Sequence, residues 1–378
     1  MPPFTLRAPH ETTFGSGCRK DIGRIAAAYG VKALLVTGAG ALRRGLVAEF
    51  GSLLQQSGLR SAAFAEVEPE PVLDTVERGR RAFEANHCDL VIAIGGGSAM
   101  DTGKAIAALA GLPESVEHYF TTGAEIPGPG HPIIALPTTS GTGAEVTHVS
   151  VFTNPDTLQK ASIRGRTLMP AVALVDPELT LSLPPDQTAY SGLDALTQAM
   201  ESYVSVGANV VSDMLAEEAV GRIGRSLKLA CEQPENLPAR EDLSLGSLLA
   251  GLALASARLG LVHGLAHPLG ALYHLPHGKL CGWLLPEVIR FNLKAAGTKY
   301  ATLASTLGVG REANELAEWV EKLVAELAPC ESWRKAGLNE ADFDHIIVET
   351  VRSGSSKHNP RTVTAENTKA FLEGLLAG

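Results

Sequence analysis

Residues 89–105 read DLVIAIGGGSAMDTGKA: an unbroken apolar run, three glycines, then a segment with helical spacing. A short aliphatic run closed by glycines is a strand buried on both faces. Strands buried on both faces belong to parallel sheets covered by helices. The same order recurs through the first half. KALLVTG (32–38) is a strand ending in glycine, and LVAEFGSLLQQSG (46–58) has helical spacing. SAAFAEV (61–67) is strand-like and VLDTVERGRRAFEANH (72–87) helical. PIIALPTTSGTG (132–143) is another strand running into a Gly/Thr loop, and VALVDPELTLSLPP (172–185) is a last strand with a Pro-marked end. Strand–helix alternation with short connections predicts an α/β layer with helices on both faces.

Beyond residue 185 the texture changes. Residues 212–233, 240–260 and 314–327 carry helical periods, with no convincing strand between them. The expected organisation is an α/β, Rossmann-like parallel-sheet domain over 1–184 and an all-α domain over 185–378. No internal repeat or low-complexity tract interrupts it.

Composition excludes several classes. The net charge is −9 with no Lys/Arg block, which argues against nucleic acid or an anionic membrane as partner. No apolar run of about 18 residues is present to span a membrane. The N-terminal MPPFTLRAPHETTFGSG lacks the basic-then-apolar pattern of a secretory leader. The five cysteines are scattered and never form CxxC, the pattern of reduced thiols in a cytoplasmic protein.

Two glycine-rich turns follow strands, IGGGSAMDTGKA (94–105) and PTTSGTGAE (137–145). Glycines let backbone approach a pyrophosphate, and a helix N-terminus supplies free N–H groups and a positive dipole. A single turn of this kind is weak evidence. Two at strand C-termini in one sheet point to a nucleotide site at that edge. The pattern is neither GxGxxG nor a Walker loop. After the first strand, VTGAGALRRG (36–45) places Gly38 where a carboxylate would bind a ribose 2′-OH, with Arg43 and Arg44 following. That favours a 2′-phosphate, hence NADP over NAD; the plainer reading has both arginines solvated.

Chemistry in the second half gathers in two stretches. SGLDALTQAMESYVS (191–205) sets Asp194 and Gln198 four apart, on one helical face. GLVHGLAHPLGALYHLPHG (260–278) holds His263, His267, His274 and His277, four of the chain's 11 histidines. Imidazoles among Gly and apolar residues suit a divalent metal or a proton relay. Asp194 is the candidate negative ligand.

These motifs resemble the iron-containing (group III) alcohol dehydrogenases. The likeness is nearly full length, from LLVTG through GGGSAMDTGKA, PTTSGTGAE, GLDALTQAMESYVS and the histidine stretch to NPR at 359–361. It implies a dehydroquinate synthase-like fold and hydride transfer between NAD(P) and a small alcohol or aldehyde, in a cleft between the domains. The metal, Fe or Zn, would be held by Asp194, residue 198, His263 and His277. His267 would stand beside nicotinamide and substrate as a proton relay. Gly38, Gly95, Gly96, Gly97, Ser98, Asp101, Thr138, Thr139, Thr142 and Lys160 would serve the cofactor, with the pyrophosphate on Gly96, Gly97 and Ser98. A homodimer is a family expectation.

The chain departs from the family pattern at several places. Residue 198, a family His, is Gln198, whose neutral oxygen is a poorer donor than imidazole for a late first-row ion. Three good ligands remain, a recognised catalytic number. A metal-independent reductase of the maleylacetate type is the alternative reading. A dehydroquinate synthase-type lyase would need several Lys and Arg that the helical-domain motifs lack. A non-catalytic nucleotide-binding protein is disfavoured by the intact Asp194, His263, His267 and His277. Gly38 resembles NADP-using members, and Glu70 stands where many members have Asn. The resemblance implies that Val149, Leu254, Arg258 and residues 355–361, with Lys357 and His358, lie near the pocket; His148 follows the Gly/Thr loop. Several cations there suit an anionic aldehyde.

Overall fold

The computed structural model describes residues 3–157 and 159–377. The chain forms two compact units. One comprises Arg7–Thr139 and Gly143–Leu181, the other Met1–Leu6, Ser140–Thr142 and Ser182–Gly378.

In the α/β unit the elements run β1 (Glu11–Phe14), α1 (Ile22–Ala26), β2 (Lys32–Gly38), α2 (Ala39–Arg43) and α3 (Leu46–Gln56). There follow β3 (Arg60–Val67), α4 (Leu73–Ala85), β4 (Leu90–Gly95), α5 (Gly97–Leu109) and α6 (Val116–Thr122). The unit ends with β5 (Ile133–Pro137), β6 (Val149–Asn154), β7 (Gln159–Arg164) and β8 (Val172–Val175). Six strands make one parallel sheet in the order β1-β8-β5-β4-β2-β3. The strand period sorts its side chains. Leu34, Val36, Val91 and Ala93 pack on one face with α4–α6, and Ala33, Leu35, Ile92 and Ile94 pack on the other with α1 and α3. β4 is buried along its whole length, as its unbroken apolar run requires.

Sheet order locates the ligand edge. From β2 the chain crosses to β3 on one side, then returns to place β4 on the other. The crevice at the C-terminal ends of β2 and β4 is thus a topological switch point, where open α/β sheets bind ligands. Gly38 ends β2 and Gly95 ends β4. Two features escape the sequence reading. β1 is short and half-exposed, and β6–β7 is an antiparallel hairpin of mixed polarity outside the main sheet. Within 132–143 the strand is Ile133–Pro137 and the Gly/Thr loop follows it; within 172–185 the strand is Val172–Val175.

The helical unit contains α7 (Pro185–Val204), α8 (Val210–Glu232), α9 (Leu237–Ala257), α10 (Leu261–Tyr273) and α11 (His277–Leu307). α12 (Ala313–Leu327), α13 (Phe343–Arg352) and α14 (Ala365–Ala377) complete it. α7 is its axis: every residue from Gly192 to Val204 is buried. A helix buried all round packs against neighbours on every side, so its polar residues Asp194, Gln198 and Glu201 face the interior, where an unpaired polar atom is costly. α11 crosses α7 at two glycines. A Cβ on Gly278 would stand 2.0 Å from the Tyr190 carbonyl oxygen, and one on Gly282 would stand 2.8 Å from Leu193. Among the described residues, no single helix is long and apolar enough to cross a membrane. α9 and α10 pass only as a pair bent by 103°, and they contribute to the buried core.

Candidate functional site

In the α/β unit, the turn after β4 needs its glycines. Gly95 has φ +154°, and a Cβ there would meet the Ala99 Cβ at 2.7 Å. A Cβ on Gly96 would press on the Thr139 side chain at 3.3 Å. The Thr138 amide donates to the Gly95 carbonyl at 2.8 Å, tying the β5 turn to the β4 turn. α5 then starts at Gly97 with no side-chain cap, so its first N–H groups, at Gly97 and Ser98, are available to an anion. Gly38 lies across the switch point, and a Cβ there would sit 2.7 Å from the Val67 carbonyl oxygen.

Other residues expected at the cofactor have partners in the same unit. Asp101 accepts the Val151 N–H at 3.0 Å and pairs with Lys104 at 2.9 Å. Lys104 is fully buried and also donates to the carbonyls of Ala144 and Val149. Lys160 forms an ion pair with Glu70 at 2.9 Å, and the Glu70 N–H donates to Ser98 Oγ at 3.3 Å. Glu70, unexplained in the sequence, is therefore the counter-charge of Lys160 beside the glycine turn. Glu145, in the second Gly/Thr motif, is buried, and that burial pushes its carboxyl up to about 7. Thr142 belongs with the helical unit, in a segment held by a Ser140–Ser244 hydroxyl contact of 2.8 Å and a Ser247 hydroxyl donating to the Gly141 carbonyl. The Gly/Thr loop is thus divided, with Thr138 and Thr139 in the α/β unit.

In the helical unit, three helices each bring a pair of polar residues one turn apart: Asp194 and Gln198 on α7, His263 and His267 on α10, His277 and Cys281 on α11. One donor atom each from Asp194, His263, His277 and Cys281 lie within 4.8 Å of one another. Asp194 Oδ1 is 3.3 Å from His263 Nε2 and 3.8 Å from His277 Nε2. Two N or O donors bonded at ~2.0–2.2 Å with tetrahedral angles stand about 3.3–3.6 Å apart, so the donor set fits a divalent ion. Gln198 is buried, and its Oε1 has no hydrogen-bond partner among the described residues. The His267 ring is half-buried, 5.5 Å from the His277 ring and 6.5 Å from that of His263. His274 ends α10 in the left-handed region and is exposed, apart from the cluster.

Glu201, seven residues after Asp194, is absent from the sequence-based set. Its Oε2 lies 2.6 Å from His263 Nδ1, and its Oε1 accepts the Val262 N–H at 2.6 Å. A carboxylate only accepts, so it holds the proton on His263 Nδ1 and leaves Nε2 facing Asp194. Burial alone lowers the His263 pKa, but neighbouring Cys281, Glu201 and Asp194 outweigh it and raise the imidazole well above its ordinary value. The carboxylates set that direction near neutral pH, because burial pushes the Cys281 thiol up to about 12. Cys281 is the second residue the sequence reading missed. The signal was its position four after His277.

Residues 355–361 pack along α10. Asn359 Oδ1 accepts the Leu261 N–H at 3.2 Å, and Ser356 lies against Gly264. The segment carries exposed Lys357 and half-buried His358. Arg258 ends α9 with φ 72°. Leu254 is half-buried on α9, while His148 and Val149 lie in the α/β unit.

The α/β unit carries a glycine turn at a switch point, where sheets of this kind bind ligands, and the helical unit carries a buried carboxylate–imidazole cluster that could hold a metal ion. Residues 9–177 match the iron-containing alcohol dehydrogenase family, and residues 188–376 match the C-terminal part of the Fe-containing alcohol dehydrogenase family. The 1,3-propanediol dehydrogenase of Citrobacter freundii is 38% identical over 368 residues, 95% of this chain and 95% of its own. A crystal structure of 1,3-propanediol oxidoreductase matches with a TM-score of 0.93 at 35% identity, covering 99% of this chain and 100% of that one. The sulfoacetaldehyde reductase of Bifidobacterium kashiwanohense, solved in complex with NAD+, matches with a TM-score of 0.92 at 31% identity, covering 100% of both chains. The chain belongs to the iron-containing alcohol dehydrogenase family, oxidoreductases acting on CH–OH groups.

Proposed function

We propose that this chain interconverts a small aldehyde and its alcohol with NADP(H) in preference to NAD(H), using a divalent metal, Fe or Zn. The observation that carries the reading is the convergence of Asp194, His263 and His277 from three helices at ion-binding separations. Asp194, Gln198, His263 and His277 are its proposed ligands. Gln198 Oε1, buried and unpartnered, gains a use if it faces the ion. When bound, the ion supplies Lewis-acid polarisation of a carbonyl oxygen, and nicotinamide supplies the hydride.

The chain's own residues do the rest. Glu201 orients His263 and holds a proton on Nδ1, so that Nε2 is the atom left for the ion once its own proton is displaced. His267 holds the proton that the developing alkoxide needs. Gly95, Gly96, Gly97 and Ser98 receive the pyrophosphate at the α5 N-terminus. Thr138, Thr139 and Thr142 serve the nicotinamide half. Asp101 acts as a positioning residue through Lys104 and Val151, and Lys160 acts beside Ser98 through Glu70. Gly38, which supplies no carboxylate, and Arg43 and Arg44 after it are the features that favour a 2′-phosphate; Arg44 also donates to the Leu179 carbonyl at 3.4 Å. We take 1–184 and 185–378 as the functional domains, and a cytoplasmic homodimer as the working form.

The cationic residues on and near the α10-bound segment, Arg258, Lys357 and His358, extend the proposal to an anionic aldehyde. Succinic semialdehyde is then the better substrate, and equal kcat/KM with acetaldehyde rejects this extension. The main test is elemental analysis of protein purified without added metal, with NADPH oxidation recorded before and after chelation. The expected result is near-stoichiometric metal and chelator-sensitive turnover. Undiminished turnover by metal-free protein overturns it in favour of the maleylacetate-type reductase.

A further inference from the structure

Cys281 is fully buried, and its sulfur faces the same point as the proposed ligands. Sγ lies 3.6 Å from His277 Nε2 and 4.0 Å from His263 Nε2. A thiolate bonded at ~2.3 Å and an imidazole bonded at ~2.0–2.1 Å, with a tetrahedral angle between them, stand about 3.5–3.6 Å apart. The observed separations are at or slightly above that spacing, as the Asp194–His pairs are for oxygen and nitrogen. We propose that Cys281, as the thiolate, is the fourth protein ligand of the ion beside Asp194, His263 and His277, in place of Gln198, and that its sulfur biases the site towards Zn²⁺ or Co²⁺ over Fe²⁺. The inference rests on the reading of Asp194, His263 and His277 as ligands.

A buried cysteine is commonly a small apolar filler. Two observations distinguish Cys281. The i, i+4 spacing on α11 puts its sulfur on the face that carries His277. The glycines at 278 and 282 bring that face against α7, where Asp194 lies. Cys88 and Cys231 are also buried, but neither joins a cluster of metal-ligating side chains among the described residues. The chemistry is complementary as well. Residue 198 offers only a neutral amide oxygen, and a thiolate supplies the strong donor that position lacks. Thiolate sulfur selects thiophilic ions among the first-row divalents. Binding displaces the thiol proton, which passes to solvent.

The test uses the full chain, stripped with a chelator and titrated with Co²⁺ under anaerobic, reducing conditions. Binding is measured by chelator competition, and sulfur ligation by the near-ultraviolet thiolate-to-cobalt charge-transfer absorption. The expected result is one Co²⁺ per chain with that absorption. Cys281→Ser should lose it and bind Co²⁺ and Zn²⁺ at least about tenfold more weakly, the loss that even outer-shell partners cause, with a smaller change for Fe²⁺. Gln198→Ala should keep the absorption. Wild-type protein that binds one Co²⁺ without charge transfer overturns the role of Cys281 and leaves the other ligands standing. Persistence of the absorption in Cys281→Ser also overturns it. Absence of any Co²⁺ binding overturns both this inference and the metal-dependent function. The wild-type spectrum decides the matter even where a variant folds poorly.

Discussion

Replacing Glu201 by Gln changes one oxygen to an amide nitrogen in a site where both oxygens are used. Oε1 accepts the Val262 N–H and Oε2 meets His263 Nδ1, each at 2.6 Å, and the side chain is buried. A Gln in the same position has one acceptor and one donor end. If its oxygen stays on Val262, its NH₂ faces His263 Nδ1, which must then accept. The ring proton moves to Nε2, the nitrogen that faces Asp194 and would ligate the ion. If the amide is flipped, its NH₂ opposes the Val262 N–H and a buried donor goes unsatisfied. Either arrangement has a cost. Losing an outer partner of a metal-ligating His typically lowers metal affinity 10–100-fold, or about 1.4–2.8 kcal/mol. An unsatisfied buried donor costs about 1–3 kcal/mol of stability. The assay is Zn²⁺ affinity by chelator competition, with urea unfolding of the metal-free protein alongside. The expected outcome is a tenfold or greater loss of affinity, with turnover recovering in part at saturating metal. Zn²⁺ affinity within twofold of wild type would show that Glu201 does not control the His263 tautomer.

Gly278→Ala places a methyl 2.0 Å from the Tyr190 carbonyl oxygen, so α11 and α7 must separate by about 1 Å. It should cost about 1–3 kcal/mol in unfolding experiments and weaken metal binding, whereas Gly297→Ala on the same helix, with open space around it, should do neither. An unshifted unfolding curve and metal affinity for Gly278→Ala would refute the close crossing. Glu145 gives a pH signature. The unfolded chain releases this proton near the ordinary 4.5, while the folded chain holds it to about 7. Its contribution therefore lowers stability progressively as pH rises from 4.5 to 7 and is level above that, by up to about 3 kcal/mol. Glu145→Gln should gain on wild type by that amount across the window in metal-free urea unfolding at stepped pH. A difference independent of pH would refute the burial argument.

What the sequence made legible follows from what periodicity can encode. The aliphatic runs at 32–38 and 89–97 end in glycine because β2 and β4 are interior strands whose C-terminal ends border the switch point, and both features are local. β1 is the opposite case. Its four residues alternate no clear pattern, and it is a strand only because Glu11–Phe14 pair with Val172–Val175, about 160 residues away. The donor set divides in the same way. The crowding of histidines over 260–278 and the carboxylate of Asp194 are visible in the residues themselves, while the choice of Asp194, His263 and His277 as one set came from the family resemblance. Glu201 and Cys281 needed more. Each lies on the face already identified, seven residues after Asp194 and four after His277, but a Glu in a helix or a single Cys outside CxxC is unremarkable until another helix is known to meet it. That meeting is set by small residues: Gly278 and Gly282 on α11, and Gly264 against Ser356. A glycine inside a helical pattern reads locally as a weakness of about 1 kcal/mol relative to Ala. Here it marks where two backbones approach. Gly278, beside His277, and Gly282, beside Cys281, are therefore the sequence signal for a crossing at the donor set, and histidines counted along one strand of sequence cannot supply it.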